Sequence, residues 1–347
     1  MALAEPDADQ FSEIDFSGFS RVPLCHSPTP IEPMSRLSEH LGGPNLYIKR
    51  DDCTGLASGG NKTRKLEFLV GEALAENADM LVTQGAVQSN HVRQTSAAAC
   101  RFGLKCHAVL ERRVPGRDQL YESNGNVFLD SLFGATFEFH AAGPDMNAVA
   151  AAAADRLRKD GHRPYFIPGG GSNATGALGY ASCAQEIAGQ SAGAGLDFQW
   201  LVTATGSAGT QAGLVAGLTA VGCDIPVMGI SVRQPREPQV SSVRKLAGLT
   251  LAKLQGPAIP ASKILVDDGY VGEGYGIPAA STIEAITLAA RMEGILLDPV
   301  YSGKGMAGLI GLVRQNFFKA SDNVLFLHTG GMSALFAYAP QIVEALS

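Results

Sequence analysis

Short apolar runs alternate with longer stretches of helical period along most of the chain. Leu66, Leu69, Val70, Ala73 and Leu74 follow the i, i+3, i+4, i+7, i+8 spacing of an amphipathic helix. Residues 80–83 read as a short buried strand, 85–90 as a turn, and 91–101 as an Ala-rich helix stopped near Gly103. The order recurs with strands at 106–110, 136–139 and 165–167, and with helices through 127–132 and 145–160. Pro168-Gly169-Gly170-Gly171-Ser172 is the strongest punctuation in the chain and a candidate domain crossing.

The second half repeats the theme, with strands at 200–202, 227–232, 264–266 and 324–327 and helices from 211, at 281–292 and at 302–315. Ahead of these lie a short helical pattern at 34–41 and a β-prone run at 46–50. Residues 1–20 are polar and weakly patterned, as expected of a mobile arm. Strands separated by helices predict an α/β fold with parallel-rich sheets flanked by helices.

Composition narrows the class. The chain has 347 residues, 46% hydrophobic and 17% charged, enough for two domains or one large α/β unit with a substantial core, and against bulk disorder. A net charge of −6 argues against non-specific nucleic-acid binding. The six cysteines fall at no zinc-binding spacing, so free thiols and no metal are expected. No basic segment followed by an apolar run opens the chain, and no apolar run is long enough to span a membrane. A soluble cytoplasmic protein acting on a small molecule is the expectation.

Three segments share one design, a strand, a small-residue turn and a helix start, which leaves backbone N–H groups free to bind an anion. One is Ser58-Gly59-Gly60-Asn61-Lys62-Thr63-Arg64-Lys65, where Asn61 is a candidate N-cap. Here Lys62, Arg64 and Lys65 crowd a first turn that the helix dipole makes unfavourable for cations. The others are Gln88-Ser89-Asn90 and Thr205-Gly206-Ser207-Ala208-Gly209-Thr210. The last is neither a Walker A loop nor Gly-x-Gly-x-x-Gly. A lysine at a helix N-terminus has a lowered pKa and a freer amine, able to form a Schiff base. An amine of that kind beside a phosphate cup points to pyridoxal 5′-phosphate. Tyr275, in a glycine-rich loop, and Tyr301, in Asp298-Pro299-Val300-Tyr301-Ser302-Gly303-Lys304, are further candidates. His91 and His328 adjoin motifs without a catalytic role being assigned to either.

Taken with Leu297-Asp298-Pro299-Val300-Tyr301 and His328-Thr329-Gly330-Gly331, these motifs resemble, from about residue 20 to 340, the 1-aminocyclopropane-1-carboxylate deaminase/D-cysteine desulfhydrase family of fold-type II pyridoxal-phosphate enzymes. The resemblance implies a two-domain, tryptophan synthase β-like fold. A small domain would span 60–172, and a larger cofactor-binding domain would combine 1–59 with 173–347. Lys62 would be the Schiff-base lysine and the base at Cα, and Lys65 would meet the phosphate. Asn90 would bond the cofactor's 3′ oxygen. Ser89, with the neighbouring Asn90 and His91, would hold the substrate carboxylate. Thr205, Gly206, Ser207, Ala208, Gly209 and Thr210 would cup the phosphate, and Tyr275 and Tyr301 would face the substrate. A homodimer is likewise implied.

Two positions depart from the deaminases, which carry Glu at 302 and Leu at 329. Ser302 and Thr329 stand there, on the cofactor's side of the site, as in the desulfhydrase branch, where the first is Thr. A neutral hydroxyl near the pyridine nitrogen cannot keep it protonated as Glu would, so the ring is a weaker electron sink. That suits β-elimination of a sulfur leaving group better than cyclopropane opening. L-Cysteate, losing sulfite, is the first expectation and D-cysteine, losing sulfide, the alternative. A sulfonate needs extra donors or cations, which Ser58, Arg233 or Arg236 could supply. Arg64 finds no place in this scheme.

Overall fold

A computed structural model describes residues 11–346. Its strands are β1 (Ile31–Pro33), β2 (Asn45–Lys49), β3 (Met80–Ala86), β4 (Lys105–Arg112), β5 (Thr136–Ala141), β6 (Pro164–Ile167), β7 (Trp200–Thr205), β8 (Val227–Ser231), β9 (Ile264–Asp267) and β10 (Asn323–Leu327). They form two sheets, ordered β5-β4-β3-β6 and β1-β2-β10-β7-β8-β9. Every pairing is parallel except the edge pair β1–β2. β10 lies between β2 and β7, with Leu325 opposite Tyr47 on one side and Leu201 on the other. Early and late parts of the chain are thereby built into one sheet.

Both sheets read as apolar runs because helices cover both faces; all seven residues of β3 are buried. Period-2 alternation divides the larger core. Leu201, Val227 and Leu325 pack with Ala177, Ile187 and Leu214, while Val202, Met228 and Phe326 pack on the opposite face with Ile286, Met306 and Leu309. No helix among the described residues is long and apolar enough to cross a membrane.

Two of the longest helices, Ala174–Ala194 and Arg236–Leu254, leave no clear trace in the hydrophobic pattern. The first buries mostly Gly, Ala and Thr, which pack by close backbone approach rather than by large side chains. A Cβ on Gly213 of the facing helix Gly209–Ala220 would fall 2.3 Å from the Ala177 carbonyl oxygen. A Cβ on Gly179 would fall 2.2 Å from the carbonyl oxygen of Arg64. The helix Lys62–Ala75 therefore lies backbone to backbone against Ala174–Ala194. The expected mobile arm is also corrected. Residues 1–10 lie outside the described residues, but Ile14 is buried in the larger core with Phe11 and Phe16 against it. The Ile14 N–H donates to Gln185 Oε1 at 2.6 Å and the Ser12 N–H to Val221 O at 3.0 Å.

Arg64, unplaced from sequence, is the centre of a buried polar cluster. Its Nε and Nη2 donate to Asp51 at 2.8 and 2.9 Å, its Nη1 and Nη2 to Glu186 at 2.9 and 3.0 Å, and its Nη2 to Thr29 Oγ1 at 3.0 Å. Lys49 reaches the same Glu186, and the Tyr180 hydroxyl donates to Asp51 at 2.6 Å. Asp51 is fully buried, yet Arg64 beside it, with Lys49 and Tyr180, outweighs desolvation and holds its carboxyl below the usual range. Breaking a buried, fully bonded ion pair by removing one partner costs about 3–5 kcal/mol. Arg64→Met is therefore expected to lower the urea midpoint by a corresponding amount, and an unchanged midpoint would contradict the assignment.

Candidate active site

The carboxyl ends of β3, β7 and β8 and the helix starts that follow β3 and β7 open onto one cavity of about 290 Å3. This is where parallel α/β sheets place ligands. The turn that delivers Lys62 is strained: Ala57 and Ser58 have φ of 47° and 68°, a region non-glycine residues rarely adopt. A Cβ on Gly59 would lie 1.9 Å from Asp52 O. Asn61 is not the expected cap. Its own backbone is helical, and its Nδ2 instead donates to Thr210 Oγ1 at 2.9 Å. The Lys62 N–H is satisfied from outside the helix by Gln94 Oε1 at 2.9 Å.

Lys62 lines the cavity, and desolvation pulls its amine down to about 8, against a weaker upward pull from Asp298. Lys65 is buried below it and donates to Gly170 O at 3.0 Å. Burial and the nearby Lys62 push the Lys65 amine well below its ordinary value. At Gly209 a Cβ would fall 2.8 Å from Lys65 Nζ and 2.6 Å from Ser172 Oγ. Only glycine fits this cradle, so the amine sits against the positive end of the helix Gly209–Ala220. Ser172 Oγ donates to Ser207 Oγ at 2.8 Å on the cup's rim. Thr205 Oγ1 accepts from Gln239 Nε2 at 2.9 Å, which leaves its own proton free. A cation facing a helix N-terminus with no carboxylate between them is a site that an anion completes. Those residues fit a phosphate.

Opposite the cup, Ser89 caps the helix Asn90–Arg101, its Oγ accepting from the Val92 N–H at 3.2 Å. The Asn90 Oδ1 accepts from Arg93 Nη1 at 3.1 Å and from Asn126 Nδ2 at 2.9 Å. Its orientation is therefore fixed, with the amide donors left for the cavity that Asn90 lines. His91 is bonded through Nε2 to Thr83 Oγ1 at 2.8 Å. The Thr83 hydroxyl proton is engaged by Ile167 O at 2.8 Å, so Nε2 carries the imidazole proton. Burial, reinforced by Lys62 and Lys65, keeps the ring neutral.

Tyr275 and Tyr301 meet at the cavity with hydroxyl oxygens 2.7 Å apart. One donates to the other, which keeps its own proton available. Arg113, just beyond β4, lies 5.0 Å from the Tyr275 ring centroid and is ion-paired with Glu111. Arg233 is exposed but lines the cavity, and Thr329 lines it too. Five expected residues do not line it, the buried Lys65 among them. Ser58 is exposed and outside it, Gly209 packs beneath the cup, and Ser302 is buried. The Ser302 Oγ accepts from the Asp298 N–H at 2.8 Å and faces Asp298 Oδ2 and Gly330 O at 3.1 and 3.2 Å. Arg236 is likewise outside, its N–H donating to Asp268 Oδ2 at 2.8 Å. Sequence reasoning missed Arg113, Gln94 and Ser172. The position of Arg113 at the carboxyl end of a parallel strand was the available signal.

Two parallel-rich sheets, a desolvated lysine between them and a phosphate cup facing it define a fold-type II pyridoxal-phosphate enzyme. The chain belongs to the pyridoxal-phosphate dependent enzyme family, whose sequence profile matches residues 22–330. It is 48% identical over 324 residues to a D-cysteine desulfhydrase of Yersinia pestis (strain Pestoides F), covering 93% of this chain and 97% of that protein. It is 47% identical over 327 residues to a D-cysteine desulfhydrase of Serratia proteamaculans (strain 568), with 93% and 97% covered. A crystal structure of an ACC deaminase homologue superposes with a TM-score of 0.86 at 35% identity, covering 99% of this chain and 100% of that one.

The lowered Lys62 pKa has a measurable sign. The amine is charged below about 8 and neutral above it, so covalent capture of pyridoxal phosphate by the apoenzyme should quicken with rising pH and level off above about 8. A rate still climbing toward pH 10, as for an ordinary lysine, would contradict the desolvated site.

Proposed function

We propose that the protein is a carbon–sulfur lyase that converts D-cysteine and water to pyruvate, hydrogen sulfide and ammonia. The carrying observation is identity of 48% over nearly the full length of a D-cysteine desulfhydrase. The geometry supplies the parts. When bound, pyridoxal phosphate contributes an aldehyde carbon and a conjugated ring that accepts electron density from Cα. Lys65, Ser207 and the start of the helix Gly209–Ala220 would hold its phosphate, and the Asn90 amide would donate to its ring oxygen. Ser89 and the free N–H groups at the start of the helix Asn90–Arg101 hold the substrate carboxylate. Lys62 Nζ takes the proton from Cα, a task suited to an amine with a pKa near neutrality. The Tyr275–Tyr301 pair faces the β-substituent, with one hydroxyl proton to offer the departing sulfur.

Elimination of sulfite from L-cysteate is a second reading, and one observation favours it: Arg233 lines the cavity without an ion-pair partner among the described residues. Ser58 no longer supports it, being outside. The domain division implied by the resemblance, 60–172 against the remainder, is retained as part of the same proposal; all strands of the four-stranded sheet fall within the smaller segment.

Purified enzyme should release sulfide and pyruvate in equal amounts from D-cysteine, and little of either from L-cysteine or the cyclopropane amino acid. Sulfite from L-cysteate with no sulfide from D-cysteine would select the second reading. Lys62→Ala should lower turnover about 10²–10⁴-fold, the usual contribution of a positioned acid–base group. Full activity in that variant would remove Lys62 from the mechanism.

A further inference from the structure

Lys304 is fully buried in the first turn of the helix Ser302–Arg314. Its ammonium is satisfied by main-chain oxygens alone: Nζ donates to Val271 O at 2.6 Å and to Gly274 O at 2.7 Å. Those carbonyls belong to the loop between β9 and the helix Ala280–Leu288, and Gly274 immediately precedes Tyr275. The loop has little order of its own. Gly272, Gly274 and Gly276 have φ of 65°, 151° and 74°, and glycine loses the most conformational freedom on being fixed. Its backbone bonds from Val271 N to Asp268 O and from Ile277 N to Gly274 O are both long, at 3.3 Å. Other external ties are Arg117 Nη2, which donates to Gly276 O at 3.1 Å, and at the loop's start the Arg236 N–H, which donates to Asp268 Oδ2 at 2.8 Å.

Tyr301 lies three residues before Lys304. The chain therefore closes a small ring: Tyr301 to Lys304 along the helix, Lys304 to Gly274 by hydrogen bond, Gly274 to Tyr275 along the loop, and Tyr275 to Tyr301 by the 2.7 Å hydroxyl contact. A buried ammonium held by carbonyls occupies the place a bound monovalent cation would take, with a covalent tether in place of free diffusion. Burial and the helix start both oppose its charge, and its amine is pulled down to about 8. A cation kept at such a point implies that its two bonds are needed there.

We infer that Lys304 is a positioning residue: a tethered cation that orders the loop 268–279 and holds the Tyr275 hydroxyl against Tyr301. This rests on the reading that puts the tyrosine pair at the substrate. The test uses the holoenzyme of Lys304→Met, which keeps the stem but removes the donors, and of Lys304→Ala, which leaves room for an added ion. In both, amide hydrogen exchange across 270–277 should accelerate while cofactor absorption is retained. Turnover should fall about 100-fold, the scale of a displacement near 1 Å in a reacting site, with KM much less affected. Propylammonium or ammonium should restore both exchange protection and turnover, saturably, in Lys304→Ala but not in Lys304→Met. Unchanged exchange in both variants, a loosened loop with undiminished kcat, or the absence of rescue in Lys304→Ala would each overturn the inference. If the parent enzyme fails to turn over D-cysteine, the proposed substrate falls, and the exchange and rescue measurements still decide whether Lys304 orders the loop.

Discussion

Arg64 sits two residues after Lys62, in the first turn of the helix Lys62–Ala75, and its guanidinium is enclosed by Asp51, Glu186 and Thr29. Asp51 follows β2 of the larger sheet, Glu186 lies on the helix Ala174–Ala194, and the middle of the Arg64 helix packs Leu69 and Val70 in one cluster with Leu81 and Ile167 of the smaller sheet. One planar side chain therefore fixes the start of the Lys62 helix relative to both sheets. Its fork geometry allows this, since a lysine could not donate to both Asp51 oxygens and both Glu186 oxygens from one plane. Such a cluster gives little net stability over a well-packed apolar one. What it supplies is a single orientation for the turn that carries Lys62.

The strain beside it is consistent with that role. Ala57 and Ser58 are held at positive φ immediately before Gly59 and Gly60, a conformation that persists only where the surroundings over-determine it. Arg93 clamps Gly59 O at 2.8 Å and Thr54 Oγ1 bonds both Gly60 N and Gly60 O. Gln94 caps Lys62 and Asn61 reaches Thr210. Lys62 is thus delivered by a turn with almost no freedom left, while its own amine has no hydrogen-bond partner among the described residues and faces the cavity.

Much of this was readable from the chain, and the limits have physical causes. Local signals carried well. Strand–turn–helix units marked the three helix starts that meet at the cavity, and Lys62, Asn90, Thr205, Tyr275 and Tyr301 all line it. Non-local partners did not carry. Arg64 looked like a misplaced cation because Asp51 and Glu186 lie 13 and 122 residues away. Asn61 has an N-cap's position and chemistry, but Thr210, 149 residues on, takes its side chain. The helix Ala174–Ala194 was hidden because its buried face is built of small residues, which periodicity weights least. Ser58 was placed in the site by adjacency to Gly59, although the strained turn directs it to solvent.

Four cations occupy first turns of two helices, and their fates differ only by what the fold sets beside them. Arg64 meets two carboxylates and stays charged, with its pKa raised. Lys304 meets two carbonyls and is pulled to about 8. Lys65 meets a single carbonyl and another helix's positive end, and burial and the nearby Lys62 push it well below its ordinary value. Lys62 is desolvated against only a weaker attraction from Asp298 and falls to about 8. Every local rule about cations at helix N-termini is broken at these four positions, and each breach has a different compensation. For Arg64 and Lys304 the compensation lies within the protein and fixes geometry. For Lys65 and Lys62 the protein leaves it incomplete, and in the proposed function one would meet an anion and the other a carbonyl carbon, both carried by pyridoxal phosphate.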